Sequence, residues 1–232
     1  MTKMIDTVFF DVGATLRYVV EDAEFAAAAE KELMELVGTT EDHDTFFEKL
    51  TANWNRYRKW AKTELLDVSE MELWMQYLLP DYPQEKTAPN AARLTRLWRD
   101  HDGRRVVHDG TLETLRELVR RGYKLGIIAN TVTETEIPDW MCRDGVADCF
   151  KTVILSSKVR LRKPDPAIYL LGARCIGSDP KNCAYVGDNP VRDVEGAKDA
   201  GTADREGKAP TVLPDYKIKS IPELLDLFPP LK

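Results

Sequence analysis

The stretch Thr7-Val8-Phe9-Phe10-Asp11-Val12-Gly13-Ala14-Thr15-Leu16 decides the fold. A short run of β-branched and aromatic residues ends on an acid followed by small residues, the pattern of a buried strand that delivers Asp11 into a tight turn. Residues from about Glu21 to His101 read as helix alone. Phe25, Ala29, Leu33 and Leu36 recur at three- and four-residue steps, as do Phe47, Leu50, Trp54, Tyr57 and Ala61. Weaker helical patterns cover Ser69 to Leu79 and Ala91 to Arg99, separated by the breaker Pro80-Asp81-Tyr82-Pro83. Four such helices suffice for a small bundle.

Beyond Gly103 the rhythm alternates. Leu112, Leu115, Leu118 and Val119 form a helix stripe stopped by Gly122, and Leu125 to Ala129 follows as a strand. A helix from Glu136 to Arg143, a strand from Thr152 to Leu155, a helix from Pro166 to Cys175, a strand from Cys183 to Val186 and a helix from Asp193 to Ala200, closed by Gly201, continue the series. This predicts an α/β fold: a doubly wound parallel sheet, Rossmann-like, with an inserted all-helical domain and right-handed crossovers. The expected division is 1–16 and 106–232 for the sheet domain and 17–105 for the helical one.

Composition excludes several function classes. The 232 residues carry a net charge of −6, and the 33 lysines and arginines are scattered among 39 acids, which disfavours a nucleic-acid partner. No stretch approaches a membrane span and no apolar signal region precedes the first strand, so a cytoplasmic location is expected. Cys142, Cys149, Cys175 and Cys183 show no metal-type spacing with His43, His101 or His108, and reduced, mostly buried thiols are expected. The histidines also lack a partner acid at a meaningful spacing, which argues against histidine catalysis.

Each strand of the sheet ends in residues with chemical potential: Asp11, Asn130-Thr131, Arg160 to Lys163, then Asp188 and Asp193. In an open parallel sheet, that edge is where ligands bind. Singly, Asp11 and Asp193 read as turn or helix caps and Lys163 as a solvated loop residue. Together, three carboxylates at one edge repel one another unless a cation or a buried lysine lies between them.

Phe9-Phe10-Asp11-Val12-Gly13-Ala14-Thr15-Leu16, Ile127-Ile128-Ala129-Asn130-Thr131, Lys163-Pro164-Asp165-Pro166 and Val186-Gly187-Asp188-Asn189-Pro190-Val191-Arg192-Asp193 resemble the four ordered motifs of haloacid dehalogenase-like hydrolases. The resemblance covers residues 6–16 and 106–228, and the helical insertion falls where one subfamily places a cap between its first two motifs. It implies a magnesium-dependent phosphatase acting on a small phosphorylated metabolite. Asp11 is then the nucleophile that forms an aspartyl-phosphate. Mg²⁺ is held by Asp11, Asp188 and the main-chain carbonyl of Gly13, with Asp193 as a further ligand or an orienting residue. Lys163 balances the acids, and Asn130 and Thr131 bind the phosphoryl group.

Two positions depart from the family pattern. Gly13 stands where its phosphatases carry a second Asp as general acid and base, and Ala129 where the second motif has Ser or Thr. Three readings compete: a phosphatase for substrates with good leaving groups, a 2-haloacid dehalogenase, and a member that acts by binding a ligand or partner. Retention of both Asp188 and Asp193 favours phosphate. Within the helical insertion, Asn53 to Trp60 combines rings with cations, for which bundle packing is the favoured role, and Tyr18 lies near the hinge. Trp74, Trp98 and Trp140 read as core or half-buried.

Overall fold

A computed structural model describes residues 5–200 and 213–231. Gly201, expected to close a helix, lies outside the described residues. Strand β1 (Thr7–Phe10) is buried along its whole length. β2 (Arg17–Val20) follows at once, and its antiparallel partner β3 (Arg104–Val107) lies beyond the helical insertion. Between them come α1 (Ala23–Val37), α2 (His43–Glu64), α3 (Glu70–Glu72), which runs into the π-wound turn Leu73–Leu78, and α4 (Gln84–Asp100). Next are α5 (Thr111–Arg120), β4 (Lys124–Ala129), α6 (Glu136–Arg143), β5 (Phe150–Leu155), α7 (Ser156–Val159) and α8 (Pro166–Ile176). β6 (Cys183–Val186), the π-wound segment Pro190–Glu195, α9 (Gly196–Ala200) and α10 (Leu224–Leu227) complete the main elements.

Four parallel strands form the central sheet in the order β5-β4-β1-β6. The chain moves from β1 to β4 and β5 on one side, then crosses back to β6 on the other. That reversal makes the carboxyl ends of β1 and β6 the switch point at which doubly wound sheets open a crevice. Phe10 is level with Val186, so the residues just beyond each strand, Asp11 and the Gly187-Asp188 loop, enter the same crevice.

Each face of the sheet buries its own apolar layer. Val8, Phe10, Leu125 and Ile127 pack against Leu115 and Leu118 of α5, Trp140 of α6 and Leu224 of α10. Phe9, Ile128 and Ile154 meet Ile168, Tyr169 and Ile176 of α8 on the other face. The helical insertion has a separate core that includes Leu33, Phe46, Leu50, Tyr57, Trp74, Leu94 and Trp98, joined by Val132 from the loop after β4. Polar groups inside it are paired: Trp74 Nε1 donates to Thr95 Oγ1 at 2.8 Å, and the Tyr57 hydroxyl to Asp67 at 2.7 Å.

The two segments that join the helical insertion to the sheet form paired strands. Arg17-Tyr18-Val19-Val20 and Arg104-Arg105-Val106-Val107 make a half-exposed ribbon, which lacks the continuous burial that betrays a core strand. Gly103 turns the chain into β3 at φ +117°, with an ideal Cβ only 2.3 Å from the Val20 carbonyl oxygen, so no side chain fits there. The fourth helix also starts earlier than expected. The pattern is expected from Ala91, yet α4 begins at Gln84, directly after the Pro80 to Pro83 breaker, and runs through Pro89. Pro89 lies in the exposed second turn, where the carbonyl deprived of its donor can face water.

Candidate active site

Asp11 leaves the end of β1 with its N–H donating to the Val186 carbonyl at 2.9 Å, which fixes it between the two central strands. The loop then folds tightly on itself. The N–H groups of Thr15, Leu16 and Arg17 all approach the Val12 carbonyl at 3.0–3.3 Å, and Ala14 takes a left-handed φ of 59°. A Cβ built on Gly13 meets nothing within 4 Å, so this position opens onto free space.

The centre of the site is a buried ammonium. Lys163, only 1 % exposed, donates to Asp11 Oδ1 at 2.8 Å, to Asp193 Oδ1 at 2.7 Å and to the Tyr185 hydroxyl at 2.6 Å. All three of its donors are used. Tyr185 passes the network on by donating to the Ile128 carbonyl at 2.6 Å. The loop that carries Lys163 is clamped by Asn130, whose amide donates to the Lys163 carbonyl and whose oxygen accepts from the Lys163 N–H, both at 2.9 Å. Such a reciprocal pair sets the height of the lysine above the sheet.

Burial raises the Asp11 carboxyl above its ordinary value; Lys163 opposes that effect and the nearby Asp193 adds to it. Asp193 is itself buried, and its second oxygen accepts from the Asn189 N–H at 2.9 Å. It is held there by Gly187, where a Cβ would lie 2.4 Å from both Cβ and Cγ of Asp193. Asp188 is exposed at the mouth and receives a weak 3.4 Å contact from the Thr15 hydroxyl.

Asp11, Asp188 and Asp193 thus bring carboxylate oxygens within 4.8 Å of one another around a single ammonium. Three acids against one base leave a surplus of negative charge in a set of hard oxygen donors. That chemistry fits a small divalent cation. Because both Asp193 oxygens already accept hydrogen bonds, Asp193 fits the orienting role better than direct ligation.

The predicted residues meet at one edge, with two adjustments. The Asn130 side chain, expected to donate to a bound group, is committed to the Lys163 main chain and acts by positioning. The Thr131 N–H is likewise taken by Ser156 Oγ at 2.9 Å, while the Thr131 hydroxyl accepts from the Thr133 N–H at 3.2 Å and keeps its own proton to donate. Of the Arg160 to Lys163 segment, only Lys163 enters the site: Arg160 pairs with Glu72, and Arg162 with Asp67 at 2.7 Å, fastening the helical insertion to this loop.

Several further expectations change. Two of the four thiols, Cys142 and Cys175, are exposed rather than buried. His43 and His101 do have partner acids: both reach Glu30, at 2.9 and 2.6 Å, and His43 also meets its neighbour Asp44 at 3.0 Å. Asn53 and Tyr57 are buried in the helical core, in keeping with the expected packing role, whereas Tyr18 lines the cleft with its ring tilted against His108 at 4.6 Å.

A cleft of about 260 Å³ opens beside Asp11, Gly13, Asn130, Thr131 and Asp188. Its wall also carries residues that sequence reasoning missed: Arg17, Arg99, Arg105 and Glu136. No motif marks them, because they come from β2, α4, β3 and α6 and meet only through the ribbon. Tyr185 was missed too; its position two residues before Gly187, on the strand feeding the acid-rich loop, was the available signal.

The sequence profile of a hydrolase family, the haloacid dehalogenase-like hydrolases, matches residues 5–201. Glyceraldehyde 3-phosphate phosphatase of Methanopyrus kandleri is 30% identical over 128 residues, which are 50% of this chain and 54% of that protein. Phosphoserine phosphatase of Thermus thermophilus is 33% identical over 116 residues, 47% of this chain and 46% of that protein. The chain therefore spans about half the length of these curated relatives. A crystal structure of 2-haloacid dehalogenase from Pseudomonas syringae superposes with a TM-score of 0.67 at 22% identity, covering 97% of this chain and 98% of that one, and shares the fold.

Proposed function

Since the chain belongs to the haloacid dehalogenase-like hydrolases, we propose that it is a Mg²⁺-dependent phosphatase that acts on a small phosphorylated metabolite through Asp11. One observation carries this reading: Asp188 and Asp193 are both kept within 4.8 Å of Asp11, with Lys163 buried among them. An enzyme that displaces halide has no need to gather extra acids around its nucleophile, whereas a phosphoryl group, itself anionic, needs the cation those acids hold. The names of the matched phosphatases lend further support.

In this account residues 1–16 and 106–232 form the sheet domain and 17–105 the cap, a division supported by the separate apolar core of the helices. Asp11, Asp188 and the Gly13 carbonyl would hold Mg²⁺, with Asp193 orienting, and the ion would supply positive charge against the phosphoryl group. Lys163 supplies a fixed positive charge beside the attacking carboxylate, and Asn130 holds Lys163 in place. The Thr131 hydroxyl is the donor offered to a phosphoryl oxygen in place of the one absent at Ala129. A cytoplasmic setting accompanies the proposal, supported by the free thiols of Cys142, Cys149 and Cys175.

The Asp11 carboxylate attacks phosphorus, the P–O bond to the alcohol breaks, and the aspartyl-phosphate is then cleaved by water. Gly13 offers no proton to the departing oxygen, so that oxygen leaves as an anion or takes its proton from water. Substrates with acidic leaving groups are therefore favoured. Phosphate release with and without Mg²⁺, beside Asp11→Asn, tests the proposal: metal-dependent release abolished by the substitution is expected. Release that survives either change contradicts it, as does chloride release from 2-chloropropionate without phosphatase activity.

A further inference from the structure

The cleft that holds Asp11 and Asp188 has a second charged feature of opposite sign. Arg17, Arg99 and Arg105 converge on one buried carboxylate, Glu136, at 2.6, 3.3 and 3.4 Å. Burial by itself would push the Glu136 carboxyl up, but Arg99, Arg17 and Arg105 hold it down at about 2. One carboxylate cannot satisfy three guanidinium forks. Arg105 is balanced further by Asp100 at 3.8 Å and Asp102 at 3.4 Å, neither of which lines the cleft. Arg17 and Arg99 remain under-partnered within the cleft.

The unused donors are specific. Arg17, 6 % exposed, gives one terminal nitrogen to Glu136 while its buried Nε has no hydrogen-bond partner among the described residues. Its guanidinium is fixed over the Trp140 ring at 4.7 Å, so the fork cannot turn away. Arg99 spends only Nε on Glu136, at 3.3 Å, and its two terminal nitrogens have no protein partner among the described residues. The partly exposed Arg99 fork lines the cleft with both terminal nitrogens free for an anionic oxygen, and such charge-assisted contacts are stronger than neutral ones. Guanidinium forks match the planar oxygens of carboxylate and phosphate groups.

We propose that Arg17 and Arg99, oriented by Glu136 and Trp140, form a second anion site in the cleft, selecting small phosphate esters that bear a further carboxylate or phosphoryl group. This rests on the reading above, in which the first phosphoryl group binds at Asp11. The cleft's modest size of about 260 Å³ confines the substrate to a few carbons between the two anionic ends.

The test compares three ligands by calorimetry on Asp11→Asn protein in Mg²⁺, which removes turnover: 3-phosphoglycerate, 1,3-propanediol bisphosphate and glycerol 3-phosphate. The first two carry a second anion, and the third ends in a hydroxymethyl group. At least one of the doubly anionic ligands is expected to bind about tenfold or more tightly than glycerol 3-phosphate, because charge-assisted bidentate contacts are the strong ones. Arg99→Gln, the more exposed position, should collapse that ratio, and Arg17→Lys should reduce it. Equal or undetectable binding of all three ligands, or a ratio that survives both substitutions, overturns the proposal. A purely structural role for the arginines would weaken all ligands alike and leave the ratio intact. Phosphate release by unsubstituted protein from the same esters reports separately on turnover: its absence, with the affinity ratio present, counts against the phosphatase reading and not against the anion site.

Discussion

The Lys163 ammonium is buried 2.8 Å from the Asp11 carboxylate, and the same nitrogen reaches Asp193 at 2.7 Å. A single cation thus holds together two acids that would otherwise repel one another across the end of the sheet. Breaking a buried pair by removing one partner is costly because it strands the other charge.

Lys163→Met keeps the length and apolar stem of the side chain but leaves Asp11 and Asp193 facing each other. We expect a loss of about 3–5 kcal/mol in urea unfolding without Mg²⁺. Added Mg²⁺ should recover part of that loss, since a divalent cation replaces the missing charge. A variant as stable as the parent in the absence of metal would show that the pair contributes little.

Gly13 has room for a side chain, since a Cβ there meets nothing within 4 Å. Gly13→Asp supplies the acid that the loop lacks. If leaving-group protonation limits the reaction, release from alkyl phosphates should rise by roughly 10²-fold, with a much smaller gain on p-nitrophenyl phosphate. Equal changes on both esters would contradict this.

Gly187 has the opposite constraint, because a Cβ there would meet Asp193 at 2.4 Å. Gly187→Ala should force Asp193 away from Lys163, costing about 1–3 kcal/mol by overpacking. Thermal unfolding and phosphate release should both fall. Unchanged activity would mean that the Asp193–Lys163 contact is dispensable.

Glu136 predicts a pH dependence. Its carboxyl is held at about 2, below the ordinary 4.5, by Arg99, Arg17 and Arg105 against the effect of burial. A depressed acid contributes stability that is complete above 4.5 and is lost as pH falls toward 2; a shift of this size corresponds to about 3 kcal/mol. Parent and Glu136→Gln, compared by urea unfolding, should therefore show a stability gap that is widest at neutral pH and narrows through this window. A gap independent of pH would contradict the assignment.

Much of this architecture is legible in the sequence because the sheet is built from continuous apolar runs punctuated by acids. Thr7 to Asp11 and Cys183 to Asp188 read directly as strand and loop, and Glu136–Arg143 matches its helix. The ribbon was not legible, since Arg17–Val20 and Arg104–Val107 pair across more than eighty residues and bury little. The arginine cluster was hidden for the same reason: Arg17 and Arg105 become neighbours of Glu136 only when that ribbon forms. Asn130 shows another limit. Its place in a motif was visible, but its commitment to the Lys163 main chain depends on a loop more than thirty residues away.

On the proposed mechanism Asp11 itself accepts the phosphoryl group. The most direct measurement mixes the protein with acetyl phosphate and Mg²⁺, quenches in acid at short times and weighs the peptide that contains Asp11. That peptide should gain the mass of one phosphoryl group, and Asp11→Asn should show none. Phosphate release with no adduct on this peptide, or an adduct that persists in Asp11→Asn, would contradict the account.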